Sequence, residues 1–204
     1  MATTNPGENM SLFRSLALLP LVALSTSAFA ATYTVDASHS RVGFSVSHMM
    51  VSTVRGEFGV VSGTVNWDPA KPAATTVEAT VGVTSVDTRD AKRDEHLRSP
   101  DFFDIATFPE MKFTSKAVKN VKKDTFDLVG DLTIRGITKE VTFKVNTLPA
   151  ERKDPWGNFK TGTRAVATIN RQDYGITWNT ALDGGGVIVG DEVTIELDVE
   201  LGRK

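Results

Sequence analysis

The chain has 204 residues, a net charge of -2 and no cysteine. That balance argues against a nucleic-acid partner, which would require a basic face. The absence of cysteine excludes disulfide staples and thiolate chemistry, so stability must come from packing.

Arg14 is followed by the apolar run Leu16 to Leu24 and by Ala28-Phe29-Ala30, a small-x-small cleavage signal. Residues 1–30 therefore read as a secretory signal peptide removed near Ala30, with either Met1 or Met10 as the start. The run is too short to span a bilayer and no later segment is longer, so no membrane span is expected. Residues 31–204 suit one domain with a sizeable core.

Strict alternation follows. Val42, Phe44, Val46 and His48 share one parity, opposite Arg41, Gly43, Ser45 and Ser47, as a half-buried strand requires. The same pattern recurs in Val77-Ala79-Val81-Val83, Phe126-Leu128-Gly130-Leu132-Ile134, Ile137-Lys139-Val141-Phe143-Val145 and Val193-Ile195-Leu197-Val199-Leu201. Turn residues such as Asp68-Pro69, Arg135-Gly136 and Gly184-Gly185-Gly186 separate these runs and predict consecutive antiparallel pairing. Between Val60 and Val61 the apolar parity flips, which predicts a bulge or sharp bend. About eight such strands can form a two-sheet sandwich or an up-and-down barrel. Glycines inside strands (Gly43, Gly56, Gly59, Gly63, Gly130, Gly162) favour closure by permitting bends. Strands of ~10 residues tilted ~40° would give a barrel about 25 Å tall, with room for side chains or one small ligand.

Asp87 to Pro109 interrupts the strands. Arg89 to Leu97 reads as a charged helical segment, Ser99-Pro100-Asp101 as a second helix start with Ser99 as N-cap, and Phe102-Phe103 follows. This segment suits a short helical lid over an apolar interior.

The histidines are His39, His48 and His96. His39 and His48, nine residues apart, would point to opposite faces of a regular strand, so no metal site is expected. No Gly-x-Ser-x-Gly elbow, His-Glu-x-x-His pair or phosphate-binding glycine loop occurs. His96 with Asp94 or Asp101 is the one arrangement that leaves a hydrolase open.

Aromatic residues on the inward parity carry a stronger signal. Phe44, Val46, His48, Phe58, Phe102, Phe103, Phe108, Phe113, Leu132, Phe143 and Trp178 are the candidate pocket residues, and Arg89, Arg93, His96 and Arg98 the candidate rim for a polar head group. The plain alternatives are an ordinary filled core and a solvated helix face. Burying ten methylenes at ~0.8 kcal/mol each gains on the order of 8 kcal/mol before ordering costs, so a long apolar chain needs no specific polar contact.

Four ordered blocks are similar to the YceI family. They are Asp36 to His48 with Ser52 to Phe58, Arg93 to Asp104, Gly130 to Lys139, and Ile169 to Ile176 with Gly190 to Val193. The resemblance implies an extended, lipocalin-like barrel, exported to the periplasm of Gram-negative bacteria, whose interior binds a polyisoprenoid or another long or fatty amphiphile. It implies a binder, not an enzyme, with no cofactor beyond the bound isoprenoid lipid. The family often has leucine and glycine where Met49-Met50 stands, and commonly phenylalanine in place of Tyr174. The expected function is a periplasmic carrier or store for a quinone or polyprenyl phosphate. An envelope stress or structural protein with a filled core and, further off, a secreted hydrolase are the alternatives. Monomer and homodimer both remain open. The export reading predicts a mature N-terminus at or near Ala31, which intact mass checks; a secreted form retaining Leu16 to Leu24 would make that segment an anchor.

Overall fold

The structure is a computed structural model that describes residues 1–3 and 30–204, so the expected signal segment from Arg14 to Phe29 lies outside the described residues. The elements are β1 (Ala31–Val35), β2 (Arg41–His48), β3 (Ser52–Trp67), β4 (Thr76–Asp87), α1 (Ala91–Arg98), β5 (Glu110–Lys119), β6 (Thr125–Ile134), β7 (Ile137–Asn146), β8 (Arg152–Lys153), β9 (Phe159–Asn170) and β10 (Val189–Arg203). Eight of them, β2 to β7 with β9 and β10, close in chain order into an antiparallel barrel, because β10 pairs with β9 on one edge and β2 on the other. The closed barrel is thus the architecture, not the sandwich. The thinnest seam is β7 with β9, paired only at Lys144↔Val166 and Val145↔Ala165.

The two remaining strands are small additions, and β1 explains a misreading of His39. β1 pairs with β10 at Tyr33↔Arg203 and with β3 at Ala31↔Trp67, so it continues the line of β2 as one long strand broken by a 3-10 turn at Ala37–His39. Asp36 caps that turn: its carboxylate accepts from the Ser38 amide at 3.1 Å and from Lys160 Nζ at 2.6 Å. The Lys160 ammonium, then Ser38 and His39, hold that carboxyl well below the usual range. His39 therefore sits in a turn, where strand parity does not apply. Partnering this long line, β3 runs 16 residues and β10 runs 15, against 10 in β5, β6 and β7. At ~3.3 Å per residue β3 alone extends ~50 Å along its axis, so one side of the wall is taller than ten-residue strands predict.

The parity flip is a bulge between β3 and β4, where pairing steps from Phe58↔Val86 to Val60↔Gly82. Ser85 bridges the irregularity, its hydroxyl accepting from the Val60 amide (3.1 Å) and donating to the Gly82 carbonyl (2.6 Å). Val60 faces solvent and Val61 is buried as a result.

One end of the barrel is packed shut. Trp67 stacks on Phe126 with centroids 5.8 Å apart, and Tyr33, Val145, Leu148 and Leu201 are buried with them. Such an aromatic pair contributes ~0.5–1.5 kcal/mol beyond its burial. The other end carries α1, residues 99–109 and the segment from Arg171 to Ile188.

Polar clamps hold α1, since Asp94 is its one buried residue. The Asp94 carboxylate accepts from the Thr88 amide (2.8 Å) and hydroxyl (2.6 Å), while Arg93 donates to the Thr88 hydroxyl and carbonyl. Asp90 is the N-cap, accepting from the Lys92 and Arg93 amides. The expected second helix does not form. Ser99 is the C-cap of α1, because Pro100 forces the residue before it into an extended backbone and ends the helix there. Arg135, in the β6–β7 turn, donates to the Phe102 carbonyl at 2.6 Å and ties this lid to the barrel.

Arg171, 4% exposed, organises the other half of that end. Its guanidinium donates to the carbonyls of Gly190, Ile176, Trp178 and Val189 and to Asp191 Oδ1. A planar fork of five donors suits such a convergence of acceptors, and it pins both ends of the Ile176–Val189 crossing.

Two strand glycines act by close approach rather than by bending. Phe44 faces Gly56 across β2 and β3, and its ring fills the space a Cβ on Gly56 would need. Phe113 lies over Gly130 in the same way. Both rings rest on the wall. A Cβ on Gly130 would also fall 2.6 Å from the Thr114 carbonyl oxygen. Gly130→Ala is therefore expected to destabilise by ~1–3 kcal/mol through overpacking, whereas Gly59→Ala, where a Cβ meets nothing within 4 Å, stays within ~0.5 kcal/mol; urea titration compares the two.

Burial first, then the Glu151 hydrogen bond, pushes the Tyr33 phenol up to about 12; burial and then Asp173 push Tyr174 to about 12. Both phenols ionise more readily unfolded, near 10, so this contribution is full below pH 10 and is lost as pH rises toward about 12. Thermal melts between those values should show falling stability, with a shallower slope in Tyr174→Phe.

Candidate functional site

A cavity of about 580 Å³ occupies the barrel between the Trp67–Phe126 floor and the lid. Its lining is almost wholly apolar because alternation aims one face of every barrel strand inward. Of the expected pocket residues, Phe44, Val46, His48, Phe58, Phe102, Phe103, Phe113, Leu132, Phe143 and Trp178 line it. Phe108 does not; it packs on the β6–β7 turn, its ring 2.9 Å from where a Cβ on Gly136 would lie. Its place between the turn at residues 105–107 and the start of β5, off any strand parity, is why alternation gave no guide to its direction.

The aromatic lining forms three groups. From β2 and β3 to the lid segment, Phe44, Phe58 and Phe103 follow each other at 5.6 and 5.7 Å between centroids; on β5 and β7, Phe113 meets Phe143 edge-on at 5.3 Å. Under the lid, the His96 ring stands edge-on to both Phe102 and Trp178 at 4.9 Å, and those two are 5.3 Å apart. Aliphatic residues of β10, from Val193 to Val199 on alternate positions, supply much of the remaining surface. They were visible in the alternation but missing from the expected pocket set, which followed the aromatic residues.

The four expected rim residues separate. Arg93 and His96 border the cavity, joined by Asp90 and Lys92. Arg89 is exposed and outside the lining. Arg98 also lies outside it: β5 leaves β4 at Gly82↔Glu110, and beyond that point the Thr84 and Val86 carbonyls accept from the Arg98 guanidinium at 3.1 and 2.8 Å. A sheet edge needing donors thus claims that arginine. Two polar side chains reach the cavity wall from the Arg171 segment. Arg171 is internally paired, and the buried Tyr174 hydroxyl has no hydrogen-bond partner among the described residues.

His96 Nε2 lies 3.0 Å from Asp101 Oδ2, whereas Asp94 is engaged by Thr88. The dyad drawn from sequence therefore exists with Asp101. Among the described residues no hydroxyl hydrogen-bonds to His96, and both partners are open to water, with side chains 39% and 56% exposed. The third histidine group is elsewhere: Asp36, His39 and Glu200 converge closely enough to hold a cation. Lys160 Nζ already sits among them, 2.6 Å from Asp36 and 3.1 Å from Glu200, as the counter-charge.

Comparison with known proteins agrees with this architecture. Residues 33–201 match the YceI-like domain. A UPF0312 protein of Pseudomonas putida strain W619 is 40% identical over 166 residues, covering 80% of this chain and 86% of the relative. The crystal structure of Burkholderia cenocepacia BcnA superposes with a TM-score of 0.70 at 27% identity, covering 81% of this chain and 98% of BcnA. A polyisoprenoid binding domain from Saccharophagus degradans, implicated in plant cell wall breakdown, shares the fold at a TM-score of 0.61 and 17% identity, covering 86% of this chain and all of that one. A domain match across nearly the whole barrel, over the same span as the four sequence blocks, makes this chain a member of the YceI family.

Proposed function

We propose that this protein is a periplasmic carrier or store for a polyisoprenoid or similar long-chain amphiphile, a prenyl quinone or polyprenyl phosphate in class, held inside the barrel. The observation that carries the reading is the apolar cavity of about 580 Å³ inside the barrel, within the range of small-molecule sites. A filled-core structural protein would have no such space. The family and the polyisoprenoid-binding neighbour point to a binding protein rather than an enzyme. No described helix is long and apolar enough to cross a membrane.

The chemistry follows from the lining. An apolar chain gains ~0.8 kcal/mol per buried methylene from walls that offer contact but almost no hydrogen bonds, so selection rests on length and flexibility. The floor blocks one end, leaving a polar head at the lid beside Lys92, Arg93 and His96. His96 there is an orienting edge for a ring or a hydrogen-bond partner, with Asp101 fixing its tilt.

Organic extraction of protein purified from its own periplasm, followed by lipid mass spectrometry, should return a prenyl lipid near one per chain. Leu132→Lys places an unpaired charge in the lumen, costing several kcal/mol, and should abolish lipid retention or folding. Thr142→Lys, on the exposed face of β7, should change neither. No lipid recovered, and no uptake from a prenyl quinone suspension, would defeat the carrier reading.

A further inference from the structure

At the lid end, the β2–β3 turn raises three apolar side chains into solvent: Met49, Met50 and Val51 are 42%, 71% and 83% exposed. Met49 and Met50 have φ of 50° and 61°, and the Val51 amide donates to the His48 carbonyl at 3.1 Å. Two consecutive left-handed residues are the demand of a type I′ turn, which favours Asn-Gly. Methionines there incur backbone strain without gaining burial.

The tip is held in place rather than loose. The Met49 amide donates to the Ile188 carbonyl at 2.8 Å, and Ala181 bridges to Val187, itself 37% exposed. Gly186 packs beneath Met50, whose sulfur occupies the space of a missing Cβ. The cavity reaches directly beside this tip, since His48 and Ile188, the residues next to Met49 and Val187, line it.

Four side chains fall far below the ~800 Å² per partner that a stable protein pair buries, but they suit shallow insertion at the headgroup–acyl boundary. From Arg41 to Arg55 there is no carboxylate. Lys92 and Arg93 stand at the cavity border with Asp90; Glu95 and the His96-paired Asp101 are further exposed acids of the lid, and Asp183 lies in the facing segment. We propose that Met49, Met50, Val51 and Val187 form a membrane-docking tip that seats the cavity mouth against a bilayer, so that a chain lipid crosses without exposure to water. The cargo in this inference rests on the carrier reading; the docking does not.

The test uses a triple variant, Met49→Asn, Met50→Gly and Val51→Ser. It restores preferred turn residues and touches no cavity-lining side chain, so it should fold at least as well as wild type by thermal melt. With phosphatidylethanolamine/phosphatidylglycerol vesicles carrying a prenyl quinone, wild type should co-float and the variant should not. Quinone uptake from vesicles should slow at least tenfold in the variant, while loading from detergent reaches the same end point. Equal flotation, or no flotation of wild type, overturns the proposal, as does a Met50-dependent dimer by light scattering, which would assign the tip to a second copy. Flotation of wild type alone with no quinone loading from either source would sustain the docking and defeat the carrier reading.

Discussion

Closure of β10 onto β2 is the constraint on which the rest depends. A strand with one free edge would leave its amides and carbonyls unpaired; β10 has partners on both sides for most of its length, so the sheet has no place to unroll. Once the ring is closed, alternation leaves every inward side chain facing other inward side chains. The chain then needs only to plug two ends. It plugs one with aromatic bulk around Trp67 and Phe126 and the other with hydrogen-bonded loops.

The two plugs have different physics. Stacked rings and buried aliphatics at the floor are held by dispersion and exclusion of water. The lid is held by charge-assisted hydrogen bonds of Arg93, Arg98, Arg135 and Arg171 to backbone carbonyls and to Thr88. Such contacts are directional, and each loses most of its worth when its partner moves by an ångström or two. On the proposed function, the end that a ligand would pass is thus built from the interactions that switch between made and unmade most sharply, and the floor from those that yield gradually.

Much of this was legible in the chain. Period-two alternation marks β2, β4, β6, β7 and β10 and their inward sets, and the parity change at Val60–Val61 marks the β3–β4 bulge; β5 and β9 were not among the alternating runs. What misled were signals with two local meanings. Ser99-Pro100 is a valid helix start, yet the same proline ends the helix before it, and Asp90 had already capped that helix. Arg98 looked like a rim charge because a sequence does not show which strand carbonyls lose their partners. Phe108 counted as a pocket residue by type alone, and His39 as a strand residue because nothing in the alternation marks where the Asp36–Lys160 pair breaks the first strand.

The number of strands fixes a barrel's girth, so capacity cannot be adjusted by widening without rebuilding the pairing. The rings of Phe44 and Phe113 lying over Gly56 and Gly130 show the other degree of freedom. They thin the wall from within. Each glycine beneath an aromatic ring lets that ring lie flat on the wall, at constant circumference. A methyl group added at Gly130 would take the space of the Phe113 ring and press on the Thr114 carbonyl oxygen, so the lumen and the wall can only change together at such a position.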